Sequence, residues 1–111
     1  MLNMTNFQMQ IVMTSFAELA DAKAMARRLV ENRLAACVQI HEGIYSIYRW
    51  KGEICEGNEV ILAAKTNAMQ WPAISAFIKK YHPYDLPEII AISPIEYDVQ
   101  YGDWIKSEVN S

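Results

Sequence analysis

From Phe7 to Phe16 the side chains alternate, with Phe7, Met9, Ile11 and Met13 on one face and Gln8, Gln10 and Thr14 among those on the other. A period of two is the signature of a strand. From Glu18 to Asn32 the period lengthens. Ala22, Met25, Ala26, Leu29 and Val30 fall on one stripe at helical spacing, while Asp21, Lys23, Arg27 and Glu31 point elsewhere. Ser15, with Glu18 three residues on, fits a capping box and is expected to start this helix. Ala36 to Trp50 is rich in β-branched and aromatic residues and predicts a long strand, in which Gly43 marks a bulge or bend. Lys51-Gly52 supplies a tight turn, and the chain returns as Glu53 to Thr66. The inner part of that return, Val60-Ile61-Leu62-Ala63-Ala64, is continuously apolar and predicts a strand buried on both faces.

Thr66 or Asn67 can cap a second helix running to about Tyr81, with Pro72 in its first turn and Trp71, Ile74, Ile78 and Tyr81 on one face. His82-Pro83 stops it, Ile89 to Ser93 reads as a short apolar strand, and Asp98 can cap a last short helix through Tyr101, Trp104, Ile105 and Glu108. The order β-α-β-β-α-β with right-handed crossovers predicts an α+β, ferredoxin-like domain. Its antiparallel sheet carries both main helices on one face, with a long central hairpin and a short C-terminal helix. Residues 7–111 form this single domain, and Met1 to Asn6 reads as a flexible tail. Two helices cover one face of a sheet. The other is expected to carry Tyr45, Tyr48 and Trp50, an apolar surface that self-association would cover.

Composition narrows the function. Three Trp and six Tyr are many for 111 residues, and such rings are over-represented at interfaces. The net charge is −3 and the basic residues are scattered, so no stripe is available to follow a phosphate backbone and nucleic-acid binding is not expected. No apolar run is long enough to span a bilayer and no secretory leader is evident, so the chain is expected to be cytoplasmic, without a membrane partner. Cys37 and Cys55 lack CxxC partners and read as free thiols.

Catalytic chemistry is not expected. There is no nucleophile elbow, phosphate-cradling loop or HExxH helix, and the four glycines do not cluster. His82 can be paired with Asp85 on paper, but a histidine at a helix end also serves as a hydrogen-bonding residue. His41-Glu42 offers weak metal donors beside the bulge. Glu53, Glu56 and Glu59 read as a solvated acidic face.

Several stretches carry a resemblance. Asn32-Arg33-Leu34-Ala35-Ala36-Cys37-Val38 and Ser46-Ile47-Tyr48-Arg49-Trp50-Lys51-Gly52 resemble the two signature stretches of the CutA divalent-cation-tolerance proteins. Glu59, Lys65-Thr66, His82-Pro83-Tyr84, Leu86-Pro87-Glu88-Ile89, Tyr101 and Trp104 are similar to the rest of that pattern, which covers Ile11 to Trp104. The resemblance implies a ferredoxin-like fold in a tight homotrimer whose hairpins pair between subunits, akin in architecture to the PII signalling proteins. It implies a role in divalent-metal response or copper binding; no cofactor is fixed by the residues, and a divalent metal, copper or zinc, is the candidate. Metal-binding members carry a Cys near the end of the first strand and paired His residues before the Pro; here those places hold Thr14 and Tyr81-His82, which leaves His82 as the candidate ligand.

The expected function is a trimeric binding protein in divalent-metal (copper) tolerance or response. Tyr45, Tyr48, Trp50 and Trp104 are expected at the trimer interface, with Lys65, Tyr84 and Glu88 in an inter-subunit cleft. The alternatives are a PII-like module binding a small anionic metabolite or a partner protein, through Lys65 and Arg49, and a structural trimeric scaffold.

Overall fold

Strand pairing sets the architecture. In the computed structural model, which describes residues 7–110, strand β1 (Met9–Phe16) lies beside β3 (Glu53–Asn67), antiparallel, from Met9 opposite Asn67 to Phe16 opposite Val60. On its other side β1 takes the short strand β4 (Ile90–Ile92), with Ile11 opposite Ile92. Strand β2 (Cys37–Trp50) pairs with the far side of β3, giving the order β2-β3-β1-β4 of the ferredoxin-like fold. Helix α1 (Leu19–Glu31) links β1 to β2, and α2 (Trp71–Tyr81), preceded by a single 3-10 turn, links β3 to β4. A third helix, α3 (Val99–Glu108), follows. The tail expected at Met1 to Asn6 lies outside the described residues.

The main core lies between the sheet and the first two helices. Val12 and Phe16 of β1, Leu62 and Ala64 of β3, Ala22, Met25 and Leu29 of α1, and Ile74 and Ile78 of α2 form one buried cluster. Alternation puts Thr14 on the same strand face as Val12 and Phe16, and it is fully buried. The helix-facing side of β1 is therefore its less apolar set, while Met9 is buried on the other face. That second face is partly covered by α3. Lys65, on the face of β3 turned away from the main core, has its Nζ 5.5 Å from the ring centroid of Tyr101.

Local chemistry explains most boundaries. Asn67 accepts the Met69 N–H at 3.1 Å and Asp98 the Tyr101 N–H at 3.0 Å, the side-chain caps that start the 3-10 turn and α3. Thr66 belongs to β3 instead, donating to the Leu34 carbonyl at 2.7 Å. His82, preceding a proline, is forced into extended backbone and ends α2. The capping box expected at Ser15 does not form. Phe16 must stay extended to reach the core, so Ser15 is a strand residue, and Glu18 precedes α1 without a side-chain cap.

The hairpin of β2 and β3 projects beyond the rest of the molecule, whose principal extents are 53 × 26 × 23 Å. Its end is a two-residue turn in which Lys51 and Gly52 both take positive φ, 50° and 82°, the twist that matches right-handed strands. Gly43, at φ 77°, sits in the register shift between His41 and Ile44. That bulge reverses the side-chain parity of β2. Ile44, Ser46, Tyr48 and Trp50 pair with Glu59, Gly57, Cys55 and Glu53, the β3 face turned away from the main core. Tyr45 and Ile47 fall on the opposite face, so Tyr45 does not share a surface with Tyr48 and Trp50 as expected.

Cys37 lies opposite Lys65 and Cys55 opposite Tyr48. Ten residues of extended β3 place the two thiols about 33 Å apart, far beyond disulfide reach. Both are free.

Ile78, fully buried between α2 and the sheet, tests this packing. Ile78→Ala is expected to lower the unfolding free energy by about 2–5 kcal/mol in urea denaturation. An unchanged midpoint would mean that α2 does not dock as described.

Candidate functional site

Beside the hairpin, the loop after α2 folds back against β3 and encloses an open pocket of about 610 Å³. The bulge is what turns Tyr48, Trp50 and Ser46 toward the face that carries Glu59. Tyr84, Asp85, Leu86 and Glu88 complete the wall from the loop. The loop is held down by two hydrogen bonds. Tyr84 Oη donates to Glu59 Oε2 at 2.7 Å, and the Tyr84 N–H donates to His82 Nδ1 at 3.0 Å. Burial, then the bond to Glu59, pushes the Tyr84 phenol well above its ordinary value, so it remains a donor at any physiological pH.

His82 is the hinge of this arrangement. It is buried, its ring stacks on Phe16 with centroids 4.3 Å apart and 14° between planes, and its Nε2 lies 2.8 Å from the Ser15 carbonyl. A carbonyl can only accept, and the Tyr84 N–H can only donate. The neutral ring with its proton on Nε2 satisfies both. Burial is the largest influence on the imidazole and lowers its pKa; the Ser15 carbonyl, Asp21 and Glu59 offset it in part. As placed, His82 has no lone pair free for a metal, and Asp85 is not its partner.

Of the residues expected to share a cleft, one subunit brings Tyr84 and Glu88 together but not Lys65. Lys65 donates to Gln39 Oε1 at 2.9 Å and lies near Tyr101. Six residues of β3, about 20 Å, separate it from Glu59. Trp104 is partly exposed on α3, its ring 5.8 Å from that of Tyr101. His41 is exposed beside the bulge. Glu59 is not the solvated carboxylate expected from the acidic run. It is half-buried and fixed by Tyr84, whereas Glu56 remains exposed and accepts from Tyr45 Oη at 3.0 Å. Asp85 and Leu86 were not singled out as wall residues, and only their place after Pro83 hinted that they would turn back toward the sheet.

The sequence profile of the CutA1 divalent ion tolerance protein family matches residues 10–108. This chain belongs to that family. The Divalent-cation tolerance protein CutA of Thermus thermophilus is 40% identical over 97 residues, covering 87% of this chain and 94% of that protein. Protein CutA of Homo sapiens is 41% identical over 90 residues, covering 81% of this chain and 50% of the human protein, so this chain spans about half the human length. A solved structure of the Periplasmic divalent cation tolerance protein CutA from Archaeoglobus fulgidus superposes with a TM-score of 0.88 at 30% identity, covering 92% of this chain and 99% of that one.

In this CutA-family chain the places where metal-binding relatives were expected to carry sulfur and a second imidazole are otherwise employed. Thr14 is fully buried with its Oγ1 unpartnered. Tyr81 is partly exposed, with the Arg28 guanidinium 4.7 Å and the Lys80 ammonium 5.2 Å from its ring centroid. Among the described residues no group of three or more His, Cys, Asp or Glu side chains lies close enough together to hold a metal ion.

The lowered His82 pKa fixes the sign of a pH effect. The unfolded chain binds a proton near the ordinary value of 6.5 and the folded chain only below it, so His82 contributes stability above pH 6.5 that is lost as pH falls toward the folded value. Thermal melts between pH 7.5 and 5 are expected to show that loss, and His82→Gln should flatten it. An equal slope in both proteins would place the pH dependence elsewhere.

Proposed function

We propose that this chain is a homotrimeric binding protein of the divalent-cation-tolerance class, acting in the cytoplasm in tolerance of, or response to, divalent metal, copper foremost. The observation that carries the reading is the hairpin. Ile47 is 65% exposed and Ile54 64%, with Tyr45, Tyr48 and Trp50 also open on an arm that has no core of its own. Apolar surface of that extent on both sides of a projecting arm favours burial against further copies of the chain. The trimer then places Tyr45, Tyr48, Trp50 and Trp104 at subunit contacts and brings Lys65 of one copy toward Tyr84 and Glu88 of another. Metal, copper or zinc, is held by groups from different subunits, which fits the lack of a converging donor set among the described residues of one. Two free thiols suit a reducing compartment. The proposal includes no catalytic step, because no nucleophile is paired with a base at the pocket.

A second reading, a PII-like module for a small ligand, draws on the pocket itself, whose size lies in the range of small-molecule sites.

Native mass spectrometry with and without Cu(II) and Zn(II) tests the proposal. A trimer with a fixed metal ratio is the expected spectrum; a monomer, or a trimer that stays metal-free, overturns the assembly or the metal role respectively. Trp50→Ala is expected to shift the chain toward smaller species, at a cost of about 3–5 kcal/mol if assembly buries the ring fully. His82→Ala separates two roles. A lost metal ratio makes it a ligand that releases Ser15, while a retained ratio with a lower melting temperature makes it structural, the outcome its hydrogen bonds favour.

A further inference from the structure

We propose that α3 is a lid over the Lys65 end of the sheet and that residues 108–110, at its end, are the latch that holds it down. A helix of ten residues is marginal in water unless packing supports it. Packing supports this one thinly. Its buried residues are Gly102 and Ile105, while Tyr101 and Trp104 stay partly exposed. Asp98 caps its start, and distant parts of the chain hold its end.

Four hydrogen bonds meet at residues 108–110. The Asn110 N–H donates to the Arg33 carbonyl at 2.9 Å, and Asn110 Nδ2 donates to the Asn32 carbonyl at 3.0 Å. Arg33 Nη1 donates to the Glu108 carbonyl at 3.2 Å and lies 3.7 Å from Glu108 Oε1. Gln70 Nε2 donates to the Asn110 carbonyl at 2.7 Å, and Val109 is buried. Asn32 and Arg33 directly follow α1, where helix carbonyls run out of partners along the helix. Asn110 supplies donors to both, so the latch closes one helix end with another.

Two residues serve the latch against their local preference. Gln70 immediately precedes α2 and is 8% exposed, yet it makes no side-chain cap for that helix; its amide goes to Asn110. Arg33 takes φ 55°, a left-handed backbone that glycine adopts with less strain just past a helix. Glycine there would lack the guanidinium that reaches Glu108.

Beneath the lid, Lys65 Nζ lies 5.5 Å from the Tyr101 ring centroid. Lifting α3 breaks that contact and opens Lys65 to solvent. The latch rests on contacts within one subunit; only the importance of Lys65 rests on the cleft proposed above.

Hydrogen exchange of the full chain, read by peptide mass spectrometry, tests the latch in Arg33→Gly and Gln70→Met. Each variant is expected to speed exchange across α3 about tenfold, the scale of one lost hydrogen bond, with β3 unchanged. Acetylation of Lys65 by acetic anhydride should accelerate in step. Arg33→Gly should do this without lowering the global unfolding midpoint, because it relieves backbone strain while it frees the lid. Unchanged α3 exchange in both variants, or equal acceleration of α3 and β3, overturns the latch. Faster α3 exchange with unchanged Lys65 acetylation overturns the lid. Native mass spectrometry of all three proteins is expected to give one subunit number; loosening of α3 only where that number falls means that a neighbouring copy holds the helix, and overturns the proposal.

Discussion

The double pairing of β3 is the constraint on which the rest depends. Its upper part holds β1 on one side and β2 on the other, so its backbone is satisfied by neighbours and its two side-chain faces must serve two different surfaces. Leu62 and Ala64 go to the helices, and Ala63 and Lys65 to the side where α3 lies. Toward the turn β1 is absent and β3 has only β2 beside it. There the same strand changes from a core element to one wall of an arm, and Glu59 stands at the change.

Much of this was legible because it rests on chemistry within a few residues. Lys51-Gly52, the caps at Asn67 and Asp98, the stop at His82-Pro83 and the bulge at Gly43 each follow from a side chain acting on its own backbone. Less legible were the consequences of those features at a distance. A bulge is readable from a glycine, but the parity reversal that separates Tyr45 from Tyr48 appears only once the register on both sides is counted. Ser15 and Glu18 carry the residue types of a capping box, and the burial of Phe16 overrides them, a tertiary demand that no local pattern contains.

The candidate site divides in the same way. Tyr84 and Glu88 were readable as a pair because they lie on one short loop. The bond from Tyr84 to Glu59 crosses 25 positions, and the stack of His82 on Phe16 joins a helix end to the first strand. Such contacts are properties of the topology. They also leave His82, the residue with the most obvious reactive chemistry, with both ring nitrogens hydrogen-bonded to backbone.

The pairing of Ile11 with Ile92 has a kinetic side. The β2–β3 turn joins strands adjacent in sequence, so the arm can zip up from Lys51-Gly52 at little entropic expense. Joining β1 to β4 closes a loop around nearly the whole domain, and it does so with three residues of strand. It is the longest-range strand pairing in the sheet, the kind of contact that raises contact order and slows folding of a domain as a whole. The arm thus carries the cheapest loop closure in the sheet and the β1–β4 edge the costliest.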